Sequence, residues 1–145
     1  MLKNVQVYTE DRSINKSKVH KLIFILKQEY NFSIQSLSLS IISSTALHQI
    51  NKKYLKHDYQ TDVVSFNYSK DRNIIDGEIL ISFEDAKRNA KKFQASYGNE
   101  IFRLIIHGVL HLLNFDDTDA KSKKIMKKEE NKLINKYYFT LLASK

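Results

Sequence analysis

Apolar residues recur along this chain in two rhythms, and the switches between them mark out its elements. Val5 and Val7 alternate with polar neighbours, which predicts a first strand over 5–9. From Ser17 to Tyr30 the rhythm changes: Val19, Leu22, Ile23, Ile25 and Leu26 fall at helical spacing. Leu37, Leu39 and Ile41 then alternate against serines over 36–42, the pattern of a strand buried on one face. Ser43 and Ser44 offer a cap for a helix over about 45–55, with Leu47 and Ile50 inward. A β-branched and aromatic run over 61–68 predicts a strand, and Asp71-Arg72-Asn73 a turn before another strand over 77–82. Glu84-Asp85 opens a helix expected to stop near Tyr97-Gly98, where glycine gives a natural terminus, with Asn99 the expected cap of the next. A nearly all-apolar helix follows over 101–113. A last amphipathic helix is expected over 119–138, with Ile125, Met126, Leu133 and Ile134 facing in. Four strands and five helices make an α+β fold: a small four-stranded mixed sheet packed against about five helices, one of them central and apolar. The strand order is not legible in this pattern.

The central helix carries the chemistry. Ile101, Phe102, Leu104, Ile105, Ile106, Val109, Leu110, Leu112 and Leu113 leave one polar stripe, Arg103, His107 and His111. Two imidazoles one turn apart on one face lie close enough to share a metal ion. Asp117, six residues on, supplies a third ligand and leaves an open position, as a catalytic metal requires. A histidine on an apolar helix has a plainer use, bonding a backbone carbonyl in the core. Asp116, Asp117, Thr118 and Asp119 have one too, since one of them caps the next helix. Capping by Thr118 or Asp119 leaves Asp117 free to bind. Gly108 stands where the zincin motif HExxH keeps its general-base glutamate, so thermolysin-like proteolysis loses its base. A glycine there gives either room beside a metal or close packing against a neighbouring strand.

Composition narrows the setting. The 145 residues suit a single domain spanning 1–145, able to bury roughly two-thirds of its unfolded surface. No cysteine means no disulfide and no thiolate ligand, so any zinc uses nitrogen and oxygen donors. No apolar run approaches a membrane span and the N-terminus lacks signal-peptide blocks, so a cytoplasmic protein without a membrane partner is expected. The 24 Lys and Arg against 16 Asp and Glu give +8, which favours polyanionic partners. The lysine groups at 121, 123–124, 127–128 and 132 read by themselves as solvated helix faces.

Three ordered stretches resemble a known family. His107-Gly108-Val109-Leu110-His111 through Asp116-Asp117 is similar to the HGxLHLxGYDH signature of the YbeY family of bacterial metal-dependent endoribonucleases. Asn51 to Tyr54, then Asp58 and Thr61-Asp62-Val63-Val64-Ser65-Phe66, resemble its NxxYR…DxxTDVLSFP block. Asp76-Gly77-Glu78-Ile79 through Ser82 resembles its GDIxIS strand, and Met126 with Glu129-Glu130 fits its close. The resemblance implies a single-strand-specific endoribonuclease acting in ribosomal RNA maturation, at the 16S 3′ end, and in ribosome quality control. RNA precursors and the small ribosomal subunit or its proteins are the implied partners. One zinc ion per chain is the implied cofactor, held by His107, His111 and Asp117. Asp62 joins the two histidines as a catalytic candidate, orienting a ligand or a water.

The departures carry information. Asp117 stands where the family has a third histidine; two nitrogens and one oxygen still suit zinc, and the harder oxygen admits manganese or magnesium. Asn114 replaces the glycine ending the motif helix and tolerates the left-handed conformation. Asn67 replaces a proline. Leu55 replaces an arginine tied to activity, with Lys53, Lys56 and Arg103 the basic substitutes, though a lysine lacks the bidentate fork. Thr61 and Ser65 read as structural hydroxyls; His20, His48 and His57 read as surface residues, His57 near the cleft. Two rival readings stand beside the nuclease: a metal-dependent hydrolase of peptides or small molecules, and a non-catalytic ribosome-associated factor with a structural metal.

Overall fold

A computed structural model describes residues 2–55 (for Leu55, the backbone) and 61–143. The elements run β1 (Val5–Thr9), α1 (Lys16–Tyr30), β2 (Ser33–Ile42), α2 (Ser44–Leu55), β3 (Val63–Asn67), β4 (Ile74–Ser82), α3 (Phe83–Lys92), α4 (Tyr97–Leu112) and α5 (Ala120–Tyr137). The four strands form one mixed sheet in the order β1-β2-β4-β3. β1, β2 and β4 are parallel, and β3 joins the edge antiparallel to β4. This is the expected α+β class, and the strand order is what the structure adds.

Register decides which side chains meet the helices. Leu39 pairs with Ile79 and Ile41 with Ile81 across β2 and β4, so one sheet face is a continuous aliphatic surface. That face packs with α1 and α4 into the main core, where Leu22, Ile23, Leu26, Ile79, Ile105, Ile106 and Val109 are fully buried. The opposite face is smaller: Ile42, Leu47 and Val64 gather under α2 with Ile50, Phe66 and Leu80. Burial at about 25 cal/mol per Å² makes the larger face the principal stabilising term.

Two glycines allow close approach. A Cβ on Gly108 would meet Cγ2 of Ile79 at 2.7 Å, so α4 lies directly on β4 there. A Cβ on Gly77 would meet the Phe66 carbonyl oxygen at 2.4 Å, which fixes glycine where β3 and β4 converge. Of the two uses expected for Gly108, the structure has the packing one.

Four local expectations are corrected. α3 ends at Lys92, because Gln94 takes the left-handed conformation (φ 57°) and Ala95 N–H closes onto the Ala90 carbonyl at 2.8 Å. Tyr97 and Gly98 instead open α4, capped by the Ser96 hydroxyl, which accepts from Asn99 N–H at 3.0 Å; Asn99 is not the cap. Ile125 is 51% exposed, while Met126, Glu130, Leu133 and Ile134 face in. His20 is buried on α1, its Nδ1 without a hydrogen-bond partner among the described residues, so it is not a surface residue. Among the described residues no helix is long and apolar enough to cross a membrane.

Candidate metal centre

α4 is buried on nearly every side, and its half-buried stripe of Arg103, His107 and His111 opens into a cleft. The helix then ends sharply. Asn114 adopts a left-handed conformation (φ 70°), its N–H donates to the His111 carbonyl, and Phe115 N–H donates to the Leu110 carbonyl at 3.0 Å. This Schellman closure satisfies carbonyls of the last turn and folds the chain back beside the histidines. Asp119 caps α5, with Ser122 completing a reciprocal capping box. Asp117, between the two termini, is left free of capping duty.

The reversal brings three donors together. Nε2 of His107 lies 3.4 Å and Nε2 of His111 3.2 Å from the same oxygen, Oδ2 of Asp117. All three donor atoms lie within 4.8 Å of one another. Zinc bonds of about 2.0–2.1 Å at tetrahedral angles separate neighbouring donors by about 3.3 Å, so both histidine–aspartate separations already match those between two ligands of one divalent ion. The side chains are 21%, 31% and 33% exposed for His107, His111 and Asp117, which leaves the centre accessible from the cleft.

Behind His107 stands Glu130, which the sequence places in the family's closing stretch without a task at the metal centre. Its side chain is 7% exposed and its Oε2 lies 2.6 Å from Nδ1 of His107. An ionised carboxylate only accepts, so the imidazole proton sits on Nδ1 and the Nε2 lone pair faces Asp117. Burial lowers the His107 pKa, but the hydrogen bond and charge of Glu130, aided by Asp117 and Asp62, outweigh it and hold the imidazole above its ordinary range. The other Glu130 oxygen accepts from Arg103 Nη1 at 3.0 Å, and Arg103 Nη2 donates to Asn131 at 2.7 Å. Arg103, one proposed stand-in at the cleft for the family arginine, is thus already engaged. Lys53 lies over the Tyr54 ring at 5.2 Å, while Lys56, His57, Asp58 and the Leu55 side chain lie outside the described residues.

Asp62 lines a recess of the same cleft with Glu100, Arg103, His107 and Glu130. Its Oδ2 accepts from Asn89 Nδ2 at 2.9 Å. Burial pushes the Asp62 carboxyl above the usual range, against the pull of His107. Glu100, also buried, is raised first by desolvation and then by the charge of Asp62. Three carboxylates therefore line the recess with Arg103 and His107, and of these only Asp62 is assigned a site role from the sequence. The Thr61 hydroxyl donates to the Val63 carbonyl at 3.2 Å, a structural use. His48 lies half-buried on α2, away from the three donors.

The recess joins a larger cleft of about 510 Å³, bordered by Phe93, Asn99, Lys123 and Lys127 as well as Arg103, His107 and Asp117. Residues 3–138 match the family described as Endoribonuclease YbeY. A protein of Amoebophilus asiaticus with that name is 34% identical over 140 residues, 92% of each chain. One from Azobacteroides pseudotrichonymphae is 36% identical over 124 residues, 86% of this chain and 88% of that one. A solution structure from Thermotoga maritima superimposes with a TM-score of 0.64 over 90% of this chain and 87% of that chain; at 20% identity it speaks for the fold alone.

Proposed function

The chain belongs to the YbeY endoribonuclease family, and on that premise we propose that it is a metal-dependent endoribonuclease, a hydrolase of RNA phosphodiester bonds acting in ribosomal RNA maturation. One observation carries the reading: His107, His111 and Asp117 converge at the wall of a cleft that also presents Arg103, Lys123 and Lys127. Single-stranded precursor RNA is the proposed substrate, the 16S 3′ end the proposed site, and the small subunit or its proteins the proposed docking partner.

The donor set supports one zinc ion per chain, with manganese or magnesium admitted by the carboxylate. When bound, such an ion supplies a lowered pKa for water and polarisation of a phosphoryl oxygen. The remaining work falls to side chains. Glu130 holds His107 in the tautomer that offers Nε2, and in doing so fixes the ring plane. Arg103 bridges Glu130 to Asn131 and locks that carboxylate in place. Asp62, held by Asn89, is proposed to orient water or substrate beside His107. Basic groups at the cleft neutralise phosphates and give a salt-dependent affinity.

A second reading, a ribosome-associated factor with a structural metal, is favoured by Leu55 standing in place of the family arginine. Incubating the purified protein with single-stranded ribosomal RNA fragments decides between them. The nuclease reading expects cleavage that ends with chelation and with His111→Ala, the variant still binding RNA. Binding without turnover by the wild-type protein, zinc supplied, overturns it.

A further inference from the structure

The lysines of α5 fall into two groups. Towards its C-terminal end they are paired: Lys132 with Glu129 at 3.3 Å and Lys136 with Glu29 at 3.5 Å. Towards its N-terminal end Lys121, Lys123, Lys124, Lys127 and Lys128 are all exposed, and among the described residues none of them has a carboxylate within ion-pair distance. Lys123 and Lys127 stand one turn apart and border both the metal-centre cleft and a shallower groove shared with Lys121 and Lys124. The unpaired charge therefore runs from the outer groove of α5 to the lining of the cleft that His107 also borders.

An independent feature borders the same cleft. Phe93, at the end of α3, is 67% exposed, the largest exposure of any large hydrophobic side chain among the described residues. Lys92 Nζ sits 5.5 Å from its ring centroid. A single exposed phenylalanine is ordinary on a surface. This one borders a cleft that carries unpaired ammonium groups and a three-donor cluster. Aromatic faces beside a positive groove are how proteins hold single-stranded nucleic acid, because every base offers a π-face to stack and every nucleotide a phosphate to neutralise. A base inside a duplex has both faces occupied and offers none.

From these two observations, and resting on the nuclease reading above, we infer that single-stranded RNA lies between Phe93 and α5, one base stacked on the Phe93 ring and its phosphates held by Lys123 and Lys127. Arg103, committed to Glu130 and Asn131, forms the fixed floor of this track, and the lysines supply its adaptable contacts. The track leads the strand to the metal centre and excludes duplex.

The test uses the metal-loaded protein and a short fluorescein-labelled 2′-O-methyl phosphorothioate oligoribonucleotide, chosen to resist hydrolysis, single-stranded or annealed to its complement. Phe93→Ala is expected to weaken single-strand binding roughly 5- to 150-fold, with Phe93→Trp restoring it. Neither change is expected to alter the weaker duplex binding. Lys123→Gln with Lys127→Gln is expected to flatten the dependence of log affinity on log salt by about 1.4. All variants should keep the wild-type thermal transition and bound metal. Wild-type affinity in Phe93→Ala, or an unchanged salt slope in the double lysine variant, overturns the track. If the wild-type protein still cleaves natural RNA in that case, the nuclease reading survives alone. If the wild-type protein neither binds nor cleaves RNA, both readings fall.

Discussion

Oε2 of Glu130, on α5, lies 2.6 Å from Nδ1 of His107, on α4. The contact spans 23 residues of chain and enforces the tautomer that points Nε2 at Asp117. It makes α5 part of the metal centre although none of the three proposed ligands comes from it.

Glu130→Gln should therefore weaken zinc binding by roughly 10- to 100-fold while the fold persists, since outer partners of a ligating histidine have effects of that size. Competition titration against a chromophoric chelator reads this directly. Unchanged affinity would mean that ring orientation is set by packing alone.

Metal content tests the third ligand. Wild-type protein purified with zinc should carry close to one ion per chain by mass spectrometry, and Asp117→Ala should lose it. Saturating zinc at 100 times its dissociation constant should add about 2.7 kcal/mol to wild-type stability, seen as a rise in Tm absent from Asp117→Ala. A metal-free wild type that stays so after zinc is offered would sink the assignment.

Binding should also depend on pH in a stated direction. Glu130 holds the His107 pKa above its ordinary value, so the proton competes for the imidazole over a range that begins higher than for a free histidine. Affinity should fall by about tenfold per pH unit below that raised pKa and level off above it. Glu130→Gln removes the raising influence, and the break should move to lower pH. Isothermal titration across a pH series locates both breaks, and a break that stays put contradicts the assigned cause.

Gly108→Ala should destabilise the protein. The helix gains up to about 1 kcal/mol from replacing glycine, but a methyl group 2.7 Å from Ile79 Cγ2 overpacks the junction, for a net loss of about 1–2 kcal/mol. Ile79→Ala removes the clashing carbon, so urea denaturation of the double variant should show less than the summed losses. Additive losses would show that the strand yields instead.

Every element is legible in the sequence, and the differences fall where neighbours overrule local signals. β1 was read at its observed bounds because alternation there meets no competing pattern. The end of α3 was missed because the left-handed residue is Gln94, a side chain with no reputation for that conformation, while Gly98 looked like the stop and lies inside α4. That the two histidines and Asp117 come together is legible because helical spacing and the tight reversal at Asn114 are local matters. Glu130 was not, since its task is defined by a helix 23 residues away. A signal did exist: Met126, Glu130 and Ile134 form one inward stripe of α5, and an acidic residue in such a stripe needs a buried partner. Ile125 was assigned inward by its apolarity, yet the turn of the helix gives that direction to Met126.

The reversal at Asn114 has a further consequence. His107 reaches forward to Asp117 and on to Glu130, so the end of α4, the turn and the middle of α5 form one closed circuit of contacts. Local opening of that turn must break the circuit, and an ion seated in it opposes the opening by its binding free energy. Backbone amides from Asn114 to Asp119 become reporters of occupancy: their hydrogen exchange should slow as the centre fills.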